Sequence, residues 1–360
     1  MITCIIGTRA QLVKMAPIIR EIEKRSVSFQ ILMTGQHKNT MQTLLDDFGI
    51  QTIPKNLEKS EEVSNIPRML FWFPRVLIKM ILNRKIFTGE SQQQSWILVH
   101  GDTLSTLLGA IVGKFTPCKV VHIESGLRSH HFFSPFPEEI TRILTFYLAD
   151  IGFCPGQWAV DNLKKFPIKA VNTQENTIID SVKYAINNKS VNVDIPALAY
   201  GVVSIHRFEN IYNQKRFKEI IEAIKIISKK YLLLFVLHPA TKKRLKKLNL
   251  IEQLEANKNI KLIPRMGYIG FINLVSRSVF VVTDGGSNQE ELSYLKIPTL
   301  LMRDTTERPE GIGETAFLDG YKTSVLKDFL EKIDKENYRN RSIIKDSLHT
   351  PSSIIVNYIT

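Results

Sequence analysis

Short apolar, β-branched runs alternate along the chain with polar loops and with segments whose apolar positions recur every three or four residues. That alternation predicts βαβ units built around parallel sheets. ITCII (2–6) leads through GTRAQ into a helix whose apolar face is Leu12, Met15, Ile18, Ile19 and Ile22. FQILM (29–33) runs into TGQH, WILVH (96–100) into GDT, CKVVHI (118–123) into ESGLRS, and DIGFC (150–154) into PG. The second half repeats the pattern: YGVVSI (200–205) ends in HRFEN, LLLFVL (232–237) in HPA, NIKLIP (259–264) in RMGY, and SVFVVT (278–283) in DGGSNQEE. The polar, reactive residues follow the strands, and ligands of open parallel sheets bind outside the carboxyl ends of the strands.

The stretch 183–196, KYAINNKSVNVDIP, is rich in Asn and lacks apolar periodicity, as a linker does. The simplest architecture is therefore α/β, with two Rossmann-like domains whose parallel sheets face each other across a cleft. Their expected bounds are 1–172 and 173–345, with 346–360 as a terminal segment crossing back to the first domain. A length of 360 residues agrees with two domains. Composition adds that this is an ordinary folded protein, 44% hydrophobic and 23% charged. Cys4, Cys118 and Cys154 sit in apolar runs without CxxC spacing, so they read as buried thiols of a reducing compartment and not as metal ligands. With no signal-like start and no apolar run of spanning length, the expectation is a cytoplasmic protein. The net charge of +13 favours an anionic substrate, nucleic acid or an anionic membrane surface.

The strongest cluster of chemistry is acidic: Asp102 in HGDT, Glu124 in HIESGLRS, and the pair Glu138 and Glu139 in SPFPEE. Asp102 and Glu124 follow consecutive strands, and parallel neighbours lie roughly 4.8 Å apart, which places both carboxylates on one rim. Carboxylates held close together separate their pKa values, and so one site obtains an acid and a base. The competing roles are a helix cap for Asp102 and dipole partners for Glu138 and Glu139. Basic groups accompany them: Arg9 and Lys14 near the first β-α turn, Arg128 and Arg142, then His206 and Arg207 after 200–205. DGGS (284–287) opens a segment of the kind that binds phosphate at a helix N-terminus, although a tight structural turn has the same composition. His37, His122 and His238 each end or follow a strand, where a buried, hydrogen-bonded histidine is the commoner fate.

In order and spacing, GTRAQLVKMAP, TGQH, HGDT, HIESGLRS, SPFPEE, HRFEN, DGGSNQEE and RDTTERPE resemble the motif set of the UDP-N-acetylglucosamine 2-epimerase family over about residues 2–320. The resemblance implies a GT-B-like fold with a nucleotide sugar between the domains, and neither cofactor nor metal. It also implies chemistry in which anti-elimination of UDP gives 2-acetamidoglucal and UDP re-adds after C2 is reprotonated on the other face. By motif, Asp102, Glu124 and Glu138 correspond to the catalytic acids, and His206 to the group near the pyrophosphate. Arg9, Lys14, Arg142 and Arg308 correspond to substrate-binding positions, Gly286 and Ser287 to phosphate contacts, and Glu291 to the ribose contact. Gln36, His37, Arg207 and His238 occupy positions linked to a second, activating UDP-GlcNAc.

The chain departs from that pattern at Ala10 and Gln11, where proline and glutamate are usual, at Thr141 and Phe208, and in the order of DGGSN. The leading expectation is an epimerase making UDP-ManNAc for surface polysaccharide, acting on a soluble UDP-sugar as a homodimer and without nucleic acid. The alternatives are a GT-B-like glycosyltransferase with a lipid-linked acceptor, a hydrolysing epimerase and a silent nucleotide-sugar sensor. Residues 68–85, RMLFWFPRVLIKMILNRK, lie outside the motifs and combine Phe71, Trp72 and Phe73 with five cations. Such a stretch suits peripheral contact with a membrane interface, or else a helix packed on its own domain.

Overall fold

The computed structural model describes every residue except 36–40, 58–65, 89–93, 133–135, 189–194, 307 and 336–349; of 66–68 and 70 it describes the backbone alone. The chain divides into two compact units, Met1–Ser181 with Ser347–Thr360, and Val182–Asp346.

The first unit is built on a seven-stranded parallel sheet of β1 (Ile2–Ile6), β2 (Phe29–Met33), β3 (Lys55–Asn56), β4 (Trp96–His100), β5 (Lys119–Ile123), β6 (Ile151–Cys154) and β7 (Lys169–Asn172). The spatial order is β3-β2-β1-β4-β5-β6-β7. Every residue of β1 is buried, because a strand with helices on both faces has no solvent side; this is why ITCII is continuously apolar rather than alternating. The strand order reverses between β1 and β4, where loops leave in opposite directions and open a crevice. Ile5, Val99, Leu108, Val120 and Phe146 lie in the core beneath that crevice. Burying side chains of this size contributes about 1.5–3 kcal/mol each. The free thiols Cys4, Cys118 and Cys154 are buried as well.

Helix Ile66–Leu82 sets Trp72, Val76 and Met80 into the same core. This corrects the grouping of Trp72 with Phe71 at a membrane interface, since its indole is committed to packing. The C-terminal helix Pro351–Ile359 belongs to the first unit and begins with a capping box between Thr350 and Ser353. It is pinned where the Ser352 amide and hydroxyl donate to Asp180 Oδ2 at 2.9 and 2.5 Å.

The second unit holds a six-stranded parallel sheet of β8 (Tyr200–Ser204), β9 (Leu232–Leu237), β10 (Ile260–Pro264), β11 (Phe280–Thr283), β12 (Thr299–Leu301) and β13 (Ala316–Phe317), in the order β10-β9-β8-β11-β12-β13. Here the reversal lies between β8 and β11. Phe217, Ile220, Phe235, Phe280 and Phe329 form its core, with Phe280 edge-on to Phe329 at 5.6 Å between ring centres. No helix among the described residues is long and apolar enough to cross a membrane.

Candidate functional site

At the first unit's reversal point, helix Arg9–Lys24 starts from Thr8, whose side chain caps the Gln11 amide. Gln11 is buried and uses both ends of its own amide. Its Oε1 accepts from the Gly7 and Thr8 amides at 2.8 and 3.1 Å, while Nε2 donates to the His100 carbonyl at 2.7 Å and to Thr106 Oγ1 at 3.0 Å. The end of β1 is thereby tied to the end of β4. One turn further along the same helix face, Lys14 is fully enclosed and donates to Glu124 Oε2 at 2.5 Å, and His100 Nε2 approaches that oxygen to 3.1 Å.

Glu124 follows β5 with φ of 60°, in the left-handed region that costs a non-glycine residue about 1–2 kcal/mol. The next amide, Ser125 N, is fixed on the Phe153 carbonyl at 2.8 Å. Gly126 then follows with φ of 86°, and a Cβ there would stand 2.2 Å from the Ala159 carbonyl oxygen. The turn that presents Glu124 therefore accepts no side chain at this position. Behind it, His122 Nε2 lies 2.7 Å from the Gly101 carbonyl and Nδ1 lies 2.9 Å from Ser125 Oγ. Burial lowers the His122 pKa to about 4, against the opposing pull of the Gly101 carbonyl.

Asp102 follows β4, beside the end of β5, as the register His100 to Ile123 requires. It does not cap the next helix; Thr103 does, accepting from the Thr106 amide. Asp102 Oδ2 instead accepts from Arg142 Nη2 at 2.5 Å. Arg142 also donates through Nη1 to Glu139 Oε2 at 3.2 Å, and Glu139 receives Arg128 Nε at 2.5 Å and the Ser129 amide at 3.0 Å. Burial pushes the Glu139 carboxyl up, but the Ser129 amide and the two guanidinium groups outweigh it and hold the pKa below the usual range. Of the acidic pair, then, Glu139 is the enclosed hub that orients Arg142. Glu138 is half-buried in the first turn of helix Glu138–Leu148, next to that hub.

In the second unit Asp284 plays the corresponding tying part. It is fully buried after β11 and accepts from the His206 amide at 3.0 Å, the Arg207 amide at 2.9 Å and Asn210 Nδ2 at 3.0 Å. Asn210 in turn donates to the Met302 carbonyl at 2.9 Å and accepts from the Tyr321 hydroxyl at 2.5 Å. The His206 ring stacks on His238 with 4.6 Å between centres, and its Nδ1 lies 3.4 Å from Asp284 Oδ1. Burial lowers the His206 pKa, Asp284 opposes, and Arg207 and Arg265 add to the lowering. The side chain still keeps 36% of its surface open to solvent, so the ring is reachable.

Helix Gly286–Tyr294 begins at Gly285 without a side-chain cap, so its first amides face outward from the end of β11. A Cβ on Gly286 would meet Arg308 Nε at 3.3 Å and Arg303 Nη1 at 3.4 Å, which places two guanidinium groups over the helix start. Arg308 is steadied by Glu290 at 2.5 Å, and Gln289 Nε2 holds the Arg308 and Glu310 carbonyls at 3.0 and 2.9 Å. Outward amides, a positive dipole end and two arginines together have the chemistry that attracts an anion. Further along, the Glu291 carboxylate neighbours the buried Tyr268, whose phenol is pushed well above its usual pKa by burial first and then by Glu291 and Glu290.

The structure thus brings Asp102, Glu124, Lys14 and Arg142 to one rim of the first unit, with Glu138 opening the helix that carries Arg142 and Arg9 in the first turn of helix Arg9–Lys24. It brings His206, Arg207, His238, Gly286, Ser287, Glu291 and Arg308 to the corresponding rim of the second. Arg207 pairs with Glu209 at 2.7 Å. Gln36 and His37 lie outside the described residues. Sequence reasoning missed Gln11, His100, Asn210, Asp284, Glu290 and Arg303 as working parts. A signal existed for the enclosure of Lys14 and Glu139: Gln11, Lys14, Ile18 and Ile22 share one helix face, as do Glu139, Arg142 and Phe146.

An acid-rich rim on one Rossmann-like unit and an anion-binding helix start on another define a two-unit α/β protein that handles a phosphorylated, acid–base-labile substrate. The sequence pattern of UDP-N-acetylglucosamine 2-epimerases matches residues 20–346, and the chain belongs to that family. It is 33% identical over 359 residues to the UDP-N-acetylglucosamine 2-epimerase of Methanocaldococcus jannaschii, covering 94% of each chain. The solved structure of that organism's UDP-GlcNAc 2-epimerase in complex with UDP-GlcNAc and UDP superposes with a TM-score of 0.80 at 30% identity, over 99% of this chain and 98% of the other. The Neisseria meningitidis enzyme bound to UDP-GlcNAc gives 0.81 at 27% identity, with the same coverage. These neighbours put the chain in the GT-B-like α/β class. The glycotransferase of kitacinnamycin reaches 0.59 at 10% identity and shares the fold alone, so the glycosyltransferase alternative is not favoured.

Proposed function

We propose that the protein interconverts UDP-GlcNAc and UDP-ManNAc by elimination and re-addition of UDP, as the supply step for a surface polysaccharide. The observation that carries this reading is the pair of carboxylates Asp102 and Glu124, each held by a buried cation just past the ends of adjacent strands, with Glu138 opening the helix that carries Arg142. Inversion at C2 requires a proton to leave one face of the ring and another to arrive on the opposite face, which a single acid cannot serve. In the first stage one of these carboxylates takes the C2 proton, the C2–H electron pair forms C1=C2, and the C1–O bond breaks with its electrons on the UDP oxygen. Lys14 fixes Glu124, and Arg142 fixes Asp102, so that neither carboxylate swings away during the transfer.

The pyrophosphate belongs at the start of helix Gly286–Tyr294, where Gly286 admits a close approach and Arg303 and Arg308 supply charge. As negative charge gathers on the departing group, His206 gains from taking up a proton, so its contact strengthens in the transition state. Glu291 holds the ribose hydroxyls. Lys14, committed to Glu124, acts on the acid rather than on the nucleotide. Arg207 and His238 flank His206 at the positions linked to an activating UDP-GlcNAc. Homodimerisation belongs to the same reading.

The test is NMR of UDP-GlcNAc with the purified protein in D2O. Deuterium at C2 of the recovered sugar nucleotide together with UDP-ManNAc is the expected result. UDP-GlcNAc returned unlabelled and uninverted, with and without excess UDP-GlcNAc as activator, would end the proposal. Accumulation of free ManNAc and UDP would instead identify hydrolysis.

A further inference from the structure

Helix Ile66–Leu82 has two apolar faces, and the core uses one. Trp72, Val76 and Met80 point inward and are buried. Phe71, Ile78 and Leu82 are spaced by seven and four residues, which puts them on a single stripe on the other side. They are exposed to 81%, 58% and 78%. Isolated exposed apolar residues need no explanation, but three large ones aligned on one helix face form a surface that water penalises. Arg75 lies on the same exposed stripe, and Arg84 and Lys85 stand exposed in the short turn Arg84–Phe87 that follows. From residue 63 to 89 the chain carries five Lys and Arg and not one Asp or Glu.

We propose that this outer face is a peripheral docking surface for an anionic phospholipid membrane. The charge pattern chooses the occupant. A second copy packed stripe to stripe would set like charges against one another, and protein interface cores are poor in lysine. A lipid surface accepts both features at once, with the apolar stripe at the headgroup and acyl boundary and the cations among the phosphates. The arrangement lies on the membrane and does not span it, in keeping with a helix too short and too charged to cross. Lys79 is not among the lipid-facing cations, since its ammonium group donates to the Leu57 carbonyl. The inference does not depend on the catalytic assignment.

The experiment is cosedimentation of the full chain with vesicles of phosphatidylcholine alone or mixed with phosphatidylglycerol, at low and high salt. Wild type should bind the mixed vesicles, bind pure phosphatidylcholine far less, and release as salt rises. Phe71→Ser with Ile78→Ser and Leu82→Ser should abolish binding and leave the circular dichroism spectrum and the cooperative urea transition intact, which shows that the variant is folded. Arg84→Gln with Lys85→Gln should weaken binding about 25-fold, at about fivefold per cation, and these exposed changes keep the test sound if the triple variant fails to fold. No wild-type binding, equal binding to both vesicles, or unchanged binding in the cation variant would overturn the proposal. A wild-type dimer that the triple variant turns into a monomer, without vesicle binding, would assign the face to a second copy instead.

Discussion

Lowering the pH should unfold the first unit through His122, by an amount set by its surroundings. A carbonyl only accepts, so His122 Nε2 must carry the proton that meets the Gly101 oxygen, and Nδ1 must accept from the Ser125 hydroxyl. Protonating Nδ1 would reverse the Ser125 bond, whose hydroxyl can accept as well as donate, and would place a charge in a fully buried position beside β4. The folded pKa of about 4 compares with about 6.5 for a free imidazole. A histidine whose folded pKa is depressed contributes full stability above the unfolded pKa and loses it as pH falls through the window between the two values. Linkage gives a loss of about 2 kcal/mol between pH 7 and pH 5, and about 3 kcal/mol once both states are protonated. The three tryptophans, Trp72, Trp96 and Trp158, all belong to the first unit, so their fluorescence in urea reports that unit selectively. Carboxylates such as Glu139 also contribute acid lability, and comparison with His122→Asn cancels their share. The variant should show lower stability at pH 7 but a flatter decline to pH 5, by about 2 kcal/mol in the double difference. Parallel pH curves for wild type and variant would show that His122 is not kept neutral by folding.

Replacing Asp102, Glu124 or Glu138 by its amide should leave folding intact by circular dichroism and lower turnover by about 100-fold or more each, the usual scale for an acid or base; full activity in all three would reduce them to scaffold. His206→Asn should lower kcat more than it weakens UDP-sugar affinity measured by calorimetry, and a pure affinity defect would make it a ground-state clamp. Lys14→Met should behave as a Glu124 defect, with turnover lost and UDP affinity retained, whereas loss of UDP affinity in the same titration would return Lys14 to the nucleotide. Asp284→Ala should destabilise the second unit by about 3 kcal/mol or more in urea, because three donors lose their common acceptor.

Much of the fold was legible in the sequence because burial leaves a trace in composition. β1, β4, β5, β8, β9 and β11 are continuous apolar runs since helices cover both faces of their sheets, and Asp102, Glu124, His206 and DGGS were locatable as the polar residues just past the end of a run. β3 and β7 were not, because two or four residues at a sheet edge, ending in lysine and asparagine, carry no periodicity. The two apolar faces of helix Ile66–Leu82 made Trp72 indistinguishable from Phe71 by type, and only packing separates them. Asp284 looked like the first residue of a glycine-rich turn. Its task as acceptor for two backbone amides and Asn210 depends on the neighbouring positions of β8 and β11, which no local pattern encodes.

Gln11 is an amide where the family pattern has glutamate, and its four hydrogen bonds make that exchange a collective matter. A carboxylate there could still receive the Gly7 and Thr8 amides, but it would have nothing to offer the His100 carbonyl 2.7 Å away from Nε2. Thr106 could not repair both contacts, because its single hydroxyl hydrogen already serves that carbonyl at 2.6 Å. Grafting a glutamate into position 11 of this chain should therefore lock two oxygens face to face at the end of β4, where the His100 carbonyl would lose one of its two donors.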